Sequence, residues 1–237
     1  MVKFRGVSVG VVLYNNPHDE ILRCVQALER QAPGLICEML IIDQGTLGVP
    51  ALSPKTFPMR SWQGPNRGFG AAHNILFGHA IGDLYLCLNP DAVLHPDCLT
   101  EMVAAMRRYK GRSLIEAQQE PIPHPKIYDA QTGETPWCSG ACLLIPRAVY
   151  AKLDGFDERF FLYCEDVDLS WRARAAGYQC HIVPSAKVFH YAEDRGDRRP
   201  ALFRAMAALE EKWRAHPDRI TVQPDFSHGA IYAEALW

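Results

Sequence analysis

Acidic side chains stand where the sequence turns from one expected element to the next: Asp43, Asp91, the adjacent Glu165 and Asp166, and Asp168, followed by His190 at the end of an apolar run. Carboxylate oxygens and neutral imidazole bind divalent cations, and a carboxylate in a cleft can take a proton from a hydroxyl. Taken singly, each has a structural explanation. Asp43 and Asp91 suit turns, in which Asp bonds its own backbone; Glu165 and Asp166 suit the positive end of a helix; His190 suits packing at a strand end.

Positioning these groups calls for alternating strands and helices. Residues 7–13 form a β-branched apolar run that predicts a strand buried on both faces, and Asn16 with Pro17 then opens a helix over 17–30 whose apolar positions are Ile21, Leu22, Val25 and Leu28. Residues 39–42, 60–63 and 83–88 predict further strands, the first ending at Asp43 and the last at Asn89, Pro90 and Asp91. Residues 64–70 read as a loop and 71–80 as a helix. Such alternation implies a mostly parallel sheet with helices on both faces, and ligands beyond the carboxyl ends of the strands, where Asp43 and Asp91 fall. A helix is expected over 96–109, and the proline-rich stretch 120–125 marks a seam. Beyond it the pattern predicts a strand over 137–145, helices over 146–153 and 165–176, the second closed by Gly177, and strands over 180–183 and 187–191. A basic segment with Arg195, Arg198 and Arg199 precedes a helix over 201–215 with the stripe Leu202, Met206, Leu209 and Trp213.

Composition narrows the function classes. The 237 residues are 48% hydrophobic and 22% charged, which fits one large globular domain with a small appendage. Twenty-five Lys plus Arg against 27 Asp plus Glu give a net charge of -2, too little positive charge to draw a nucleic acid. The apolar runs fall short of the ~20 residues that cross a bilayer, and the N-terminus lacks a signal-peptide pattern, so a cytoplasmic chain is expected. The eight cysteines show no Cys-x-x-Cys spacing and read as free buried thiols. Cys138 and Cys142, four strand positions and about 13 Å apart, are too distant for a disulfide. Gly68 and Gly70 begin like a dinucleotide fingerprint, but His73 occupies the third glycine's place.

Six segments together resemble the family 2 glycosyltransferases, inverting enzymes of the GT-A fold, and within them the bacterial rhamnosyltransferase-like branch. They are residues 7–16, Ile41-Ile42-Asp43, Asn66 to Ala72, Leu88-Asn89-Pro90-Asp91, Ser139-Gly140-Ala141, and Phe160 to Leu169. The resemblance spans roughly residues 7–192. It implies an α/β GT-A domain over 1–194, with a nucleotide-binding half (1–95), an acceptor and catalytic half (96–194), and a C-terminal arm (195–237).

By the same resemblance, Asp91 and His190 hold a divalent cation, Mn2+ in preference to Mg2+, and Asn89 replaces the first carboxylate of the usual Asp-x-Asp pattern. Asp166 is implied as the base, with Glu165 orienting the acceptor. Asp43 is implied to accept the N3 hydrogen of uracil or thymine, pointing to a UDP or dTDP donor, although Gln44, Gly45 and Thr46 depart from the family's continuation. Tyr14, Asn15, Arg67, Gly68, Asn74, Asn89 and Arg195 are expected around the donor. Trp137, Ser139 and Gly140 are expected in the acceptor and sugar pocket. The implied reaction transfers a sugar to a glycan or lipid-linked acceptor in cell-surface polysaccharide synthesis, in the cytoplasm or at the inner face of the membrane. Two rivals are a sugar-phosphate nucleotidyltransferase, whose Gly-rich loop would stand where Tyr14, Asn15, Asn16 and Pro17 do, and a silent nucleotide or carbohydrate binding module. The C-terminal helix could pack on its own domain, a second copy or a membrane surface.

Overall fold

Strand β1 (Val7–Leu13) sends alternate side chains into two buried layers. Val7, Val9, Val11 and Leu13 enter one core, while Gly10 leaves room on the other face for Tyr85, whose hydroxyl oxygen would lie 2.0 Å from a Cβ at that position. The computed structural model describes residues 3–124, 126–190 and 199–216, and the backbone of 230–232.

In chain order β1 is followed by α1 (His18–Glu29), β2 (Ile36–Asp43), β3 (Met59–Gln63), α2 (Phe69–His79), β4 (Leu84–Leu88), β5 (Ala92–Leu94), α3 (Cys98–Arg108) and β6 (Ser113–Glu120). Then come β7 (Ile127–Asp129), β8 (Cys142–Pro146), α4 (Arg147–Lys152), α5 (Glu165–Ala175), β9 (Gln179–His190), α6 (Arg199–Trp213) and β10 (Ala230–Tyr232). Eight strands form one sheet in the order β3-β2-β1-β4-β8-β6-β9-β5, and β10 pairs with β7 apart from it. The pairings β3-β2, β2-β1, β1-β4 and β6-β9 are parallel; β8 and β5 run antiparallel to their neighbours. Helices α1 and α3 cover one face through Ile21, Leu28, Leu99 and Met102. Helices α2, α4 and α5 cover the other through Leu76, Tyr150 and Leu169. The α/β architecture is the one the alternating pattern predicts, and all eight cysteines are free.

Several expected boundaries differ. Strand β6 has no counterpart in the sequence reading, because its buried Glu116 and Gln119 break the apolar run. The two strands expected at 180–183 and 187–191 are one element, β9: Ala117 pairs with Val183 and Gln118 with Lys187, so Pro184 sits in an irregularity that needs no ladder hydrogen bond. The strand expected from 137 begins only at Cys142. Asn16 does not cap α1. Its Oδ1 accepts the Tyr14 N–H, and Pro17 stands at the cap position.

The C-terminal helix packs on its own domain. Ala205, Leu209 and Trp213 bury against Phe160 and Cys164, Trp213 meets Trp171 edge to face, and the Trp213 Nε1–H donates to Asp168 at 2.9 Å. The contact face is turned from the expected stripe, leaving Met206 and Phe203 exposed. No helix among the described residues is long and apolar enough to cross a membrane.

Candidate active site

Because β1, β2 and β4 are parallel, their carboxyl ends share one edge, and Asp43 pairs in register with Leu13 there. The antiparallel β8 begins at the same edge, with Cys142 opposite Leu88. The expected site residues therefore converge from sequence positions far apart.

Asp43 is 2% exposed. Its Oδ1 accepts the Gly45 N–H at 2.9 Å, while its Oδ2 is buried without a partner among the described residues. Such an oxygen is costly unless a ligand donor meets it. Gln44, the departure from the family pattern, braces the neighbouring loop: its Oε1 accepts the Arg67 N–H at 2.7 Å, and its Nε2 donates to the Gly68 carbonyl at 3.3 Å. Asn15, held at φ 54°, accepts from Thr46 N–H and hydroxyl, so it ties two loops together. Gly68 has φ 89°, and a Cβ there would lie 2.1 Å from the Phe161 carbonyl oxygen. Tyr14 is 56% exposed beside this edge.

Asp91 and His190 meet across β5 and β9, where His190 pairs with Ala92. Asp91 Oδ1 lies 3.3 Å from His190 Nε2, and Asn89 Nδ2 lies 3.2 Å from the same nitrogen. Among the described residues no group of three or more His, Cys, Asp or Glu side chains comes together to hold a metal. Asp91 and His190 could hold a cation only together with further ligands such as phosphate oxygens and water, which Mg2+ and Mn2+ sites commonly use.

Asp166 lies on the first turn of α5, half-buried against the 137–141 loop. Its Oδ2 accepts the Gly140 N–H at 2.9 Å and its Oδ1 the Val167 N–H at 2.8 Å. Gly140 is next to Ala141, whose carbonyl accepts the Asn89 N–H at 2.9 Å, so the Asp166 and Asp91 segments border one edge of the sheet. The helix start alone predicts an ordinary, ionised carboxylate; instead burial raises the Asp166 carboxyl above its usual range, against the opposing pull of the two N–H groups and Lys126. Burial pushes Glu165, 4% exposed, much further up, and the Asp166 charge adds to it. Of the pair, Asp166 carries the negative charge, since it has the N–H donors. Asp168 faces elsewhere, bound by Arg172, Lys212 and Trp213.

Behind Asp166 lies a pair the sequence reading missed. Lys126 and Glu116 are both fully buried and in direct contact. Glu116 also accepts the Ser139 N–H at 2.7 Å, and Lys126 donates to the Trp137 carbonyl at 3.1 Å with its Nζ 4.0 Å from the Trp137 ring centroid. His124 meets the same ring edge to face and is held near pKa 3 by burial, with Lys126 and His190 adding to the effect. A glutamate within the short run Leu114-Ile115-Glu116-Ala117 was the available signal. Trp137 is half-buried, with one approach taken by Lys126.

Not every expected donor residue faces this edge. The Asn74 side chain is used as a brace: Oδ1 accepts from Tyr150 and Phe156, and Nδ2 donates to the Phe156 carbonyl and Glu158. Arg67 is exposed and pairs with Glu158 at 3.6 Å. Arg195 and Arg198 lie outside the described residues, and Arg199 opens α6.

Solved structures of similar shape include a mannosyltransferase from Pyrobaculum calidifontis in complex with GDP-Man and Mn2+, with a TM-score of 0.69 and 16% identity over 93% of this chain and 73% of that one. GalNAc-T7 with UDP, GalNAc and Mn2+ gives a TM-score of 0.69 and 15% identity over 81% and 44%. These likenesses establish the GT-A fold. Among curated relatives, a rhamnosyltransferase of Escherichia coli K12, WbbL, is 29% identical over 53% of this chain and 61% of its own length. An N-acetylglucosaminyl-diphospho-decaprenol L-rhamnosyltransferase of Mycobacterium tuberculosis is 48% identical over 27% of this chain. The matched region spans 61% and 21% of those two relatives' lengths. The model described as glycosyl transferase family 2 matches residues 8–154, more than half of the sequence, and the chain belongs to that family.

Proposed function

We propose that this chain is an inverting glycosyltransferase that moves a sugar, with rhamnose the first candidate, from a UDP or dTDP donor to a glycan or lipid-linked acceptor. The rhamnosyltransferase names of the relatives support the choice of sugar, and the diphospho-decaprenol name supports a lipid-linked acceptor in polysaccharide synthesis. Such an acceptor would place the enzyme at the inner face of the membrane. The observation that carries the reading is that the segments bearing the Asp91 and His190 pair and the half-buried carboxylate of Asp166 border one edge of the sheet.

The donor fits by chemistry. Asp43 Oδ2 would accept the N3–H of uracil or thymine, and would meet a lone pair on the N3 of cytosine. Asp91 and His190 Nε2 are two acceptors 3.3 Å apart, close to the ~3 Å between neighbouring ligands that each lie about 2.1 Å from one cation. Mn2+ suits a mixed carboxylate and imidazole set better than Mg2+ does. A cation held there supplies Lewis-acid neutralisation of the diphosphate as its bond to the sugar breaks.

The chain's own residues do the rest. Asp166 takes the proton of the acceptor hydroxyl as its oxygen attacks the anomeric carbon opposite the departing phosphate, so one displacement inverts the centre. The raised carboxyl is a stronger base than an exposed aspartate, and the Gly140 and Val167 N–H groups keep it aimed. Burial disfavours the Glu165 anion more strongly than that of Asp166, so of this adjacent pair Asp166 is the one that bears the charge.

Thermal shift with UDP, dTDP, GDP and CMP, each with and without Mn2+, tests the donor assignment, because a ligand of the folded state raises its apparent stability. UDP or dTDP with Mn2+ should stabilise most. A larger shift with GDP or CMP, or none with any nucleotide, refutes the assignment.

A further inference from the structure

We infer that Gln119 is a positioning residue that fixes His190 in the one tautomer able to bind a divalent cation together with Asp91. The inference rests on the metal-assisted reading above and deepens it. Gln119 lies on β6, which the sequence pattern did not reveal, and is 5% exposed. Its Oε1 lies 3.1 Å from His190 Nδ1. On the other side of the ring, Nε2 lies 3.2 Å from Asn89 Nδ2 and 3.3 Å from Asp91 Oδ1.

The Asn89 and Gln119 contacts agree with one arrangement of hydrogens, which sets the Nε2 lone pair against Asp91 Oδ1 as the two acceptors that a cation would join. An amide Nδ2 of Asn89 can only donate, so Nε2 carries a lone pair; the ring proton then sits on Nδ1 and donates to the Gln119 carbonyl. In the opposite tautomer an Nε2–H would gain Asp91 Oδ1 as acceptor but would confront the Asn89 N–H, and Nδ1 would confront the Gln119 oxygen with no proton between them. Gln119 Nε2 is buried with no partner among the described residues, so the useful half of this amide is its carbonyl. A neutral acceptor behind a ligating histidine both aims the ring and makes its free nitrogen a better ligand.

The test uses the full chain with [15N]histidine and the variants Gln119→Leu and Gln119→Glu. In metal-free wild type, NMR should show His190 with its proton on Nδ1, and Gln119→Leu should shift the ring toward the other tautomer. Mn2+ affinity, read by electron paramagnetic resonance with UDP or dTDP present, should weaken roughly 10- to 100-fold in Gln119→Leu and remain at least at the wild-type level in Gln119→Glu, whose carboxylate accepts the same proton. Glutamate keeps the shape of the site, so the two variants separate tautomer control from packing. An unchanged tautomer and unchanged Mn2+ affinity in Gln119→Leu overturn the inference alone. Failure of wild type to bind Mn2+ with either nucleotide overturns the metal-assisted reading and this inference with it.

Discussion

Replacing Asp166 by Asn tests the proposed base, and the structure sets the size of the effect. The carboxylate accepts two backbone N–H groups, from Gly140 and Val167. An amide accepts only one and turns its NH2 toward the other, which leaves a donor unsatisfied at a cost of about 1–3 kcal/mol. Against that stands the removal of a buried charge, the same dehydration that raises the Asp166 carboxyl. The two effects oppose each other, so the fold should change in stability by no more than about 1–2 kcal/mol. Loss of the base should lower transfer by roughly 10²- to 10⁴-fold, about 3–5 kcal/mol in the barrier. The assay is transfer of labelled rhamnose from dTDP-rhamnose to an N-acetylglucosaminyl-diphospho-lipid, with dTDP affinity measured by calorimetry in Mn2+. Nucleotide affinity should stay within about threefold, under 1 kcal/mol. Transfer within about tenfold of wild type, below the span expected of a general base, refutes the role of Asp166.

Three further variants probe the supports of this site. Wild-type transfer should fall on the acid side through a value above the ordinary carboxylate range, because protonated Asp166 takes no proton; Lys126→Met removes a cation that favours the anion and should move that limb to higher pH in a kcat/KM profile, with Glu116 and Glu165 the other ionisable groups beside it. Lys126→Met alone should also cost about 3–5 kcal/mol in denaturant unfolding, with much of the loss recovered in the double variant with Glu116→Gln. Gly68→Ala puts a Cβ 2.1 Å from the Phe161 carbonyl at φ 89°; strain of about 1–3 kcal/mol plus displacement of the 156–164 loop should lower both the melting temperature and nucleotide affinity. Trp213→Ala should cost about 3–5 kcal/mol and open α6 to protease, since the ring is 1% exposed and holds Asp168.

The readable parts of the fold are those whose burial is uniform. Residues 9–13 of β1, residues 39–42 of β2 and all of β4 are apolar on both faces, so their sequences announce them and the turns that end them, and Asp43 and Asp91 follow. Strand β6 hides because its buried polar residues find partners outside the strand: Glu116 in Lys126 and Ser139, Gln119 in His190. Residues 137–140 imitate a strand, yet the N–H groups of Ser139 and Gly140 bond to carboxylates of Glu116 and Asp166 rather than to a neighbouring strand. Asn74 has the composition of a ligand contact, but its hydrogen bonds go to Tyr150, Phe156 and Glu158. The helical stripe of α6 misplaces Met206 because Trp213, set edge to face on Trp171, turns the buried face toward Ala205 and Leu209.

Base placement and the anchoring of α6 depend on the same turn of α5. Tyr163 and Cys164 enter that helix with φ of 71° and 63°, left-handed conformations that cost non-glycine residues about 1–3 kcal/mol each. Beyond that entry, two carboxylates two residues apart stand about 200° around the helix and so serve opposite sides. Asp166 turns to the Gly140 N–H at the sheet edge, while Asp168 turns inward to Arg172, Lys212 and Trp213. Cys164 packs against the same α6 residues that Trp213 joins, so the docked C-terminal helix helps hold the strained entry closed. Asp168, which the sequence sets beside the proposed base, belongs instead to the scaffold and ties the first turn of α5 to Lys212 and Trp213 of α6.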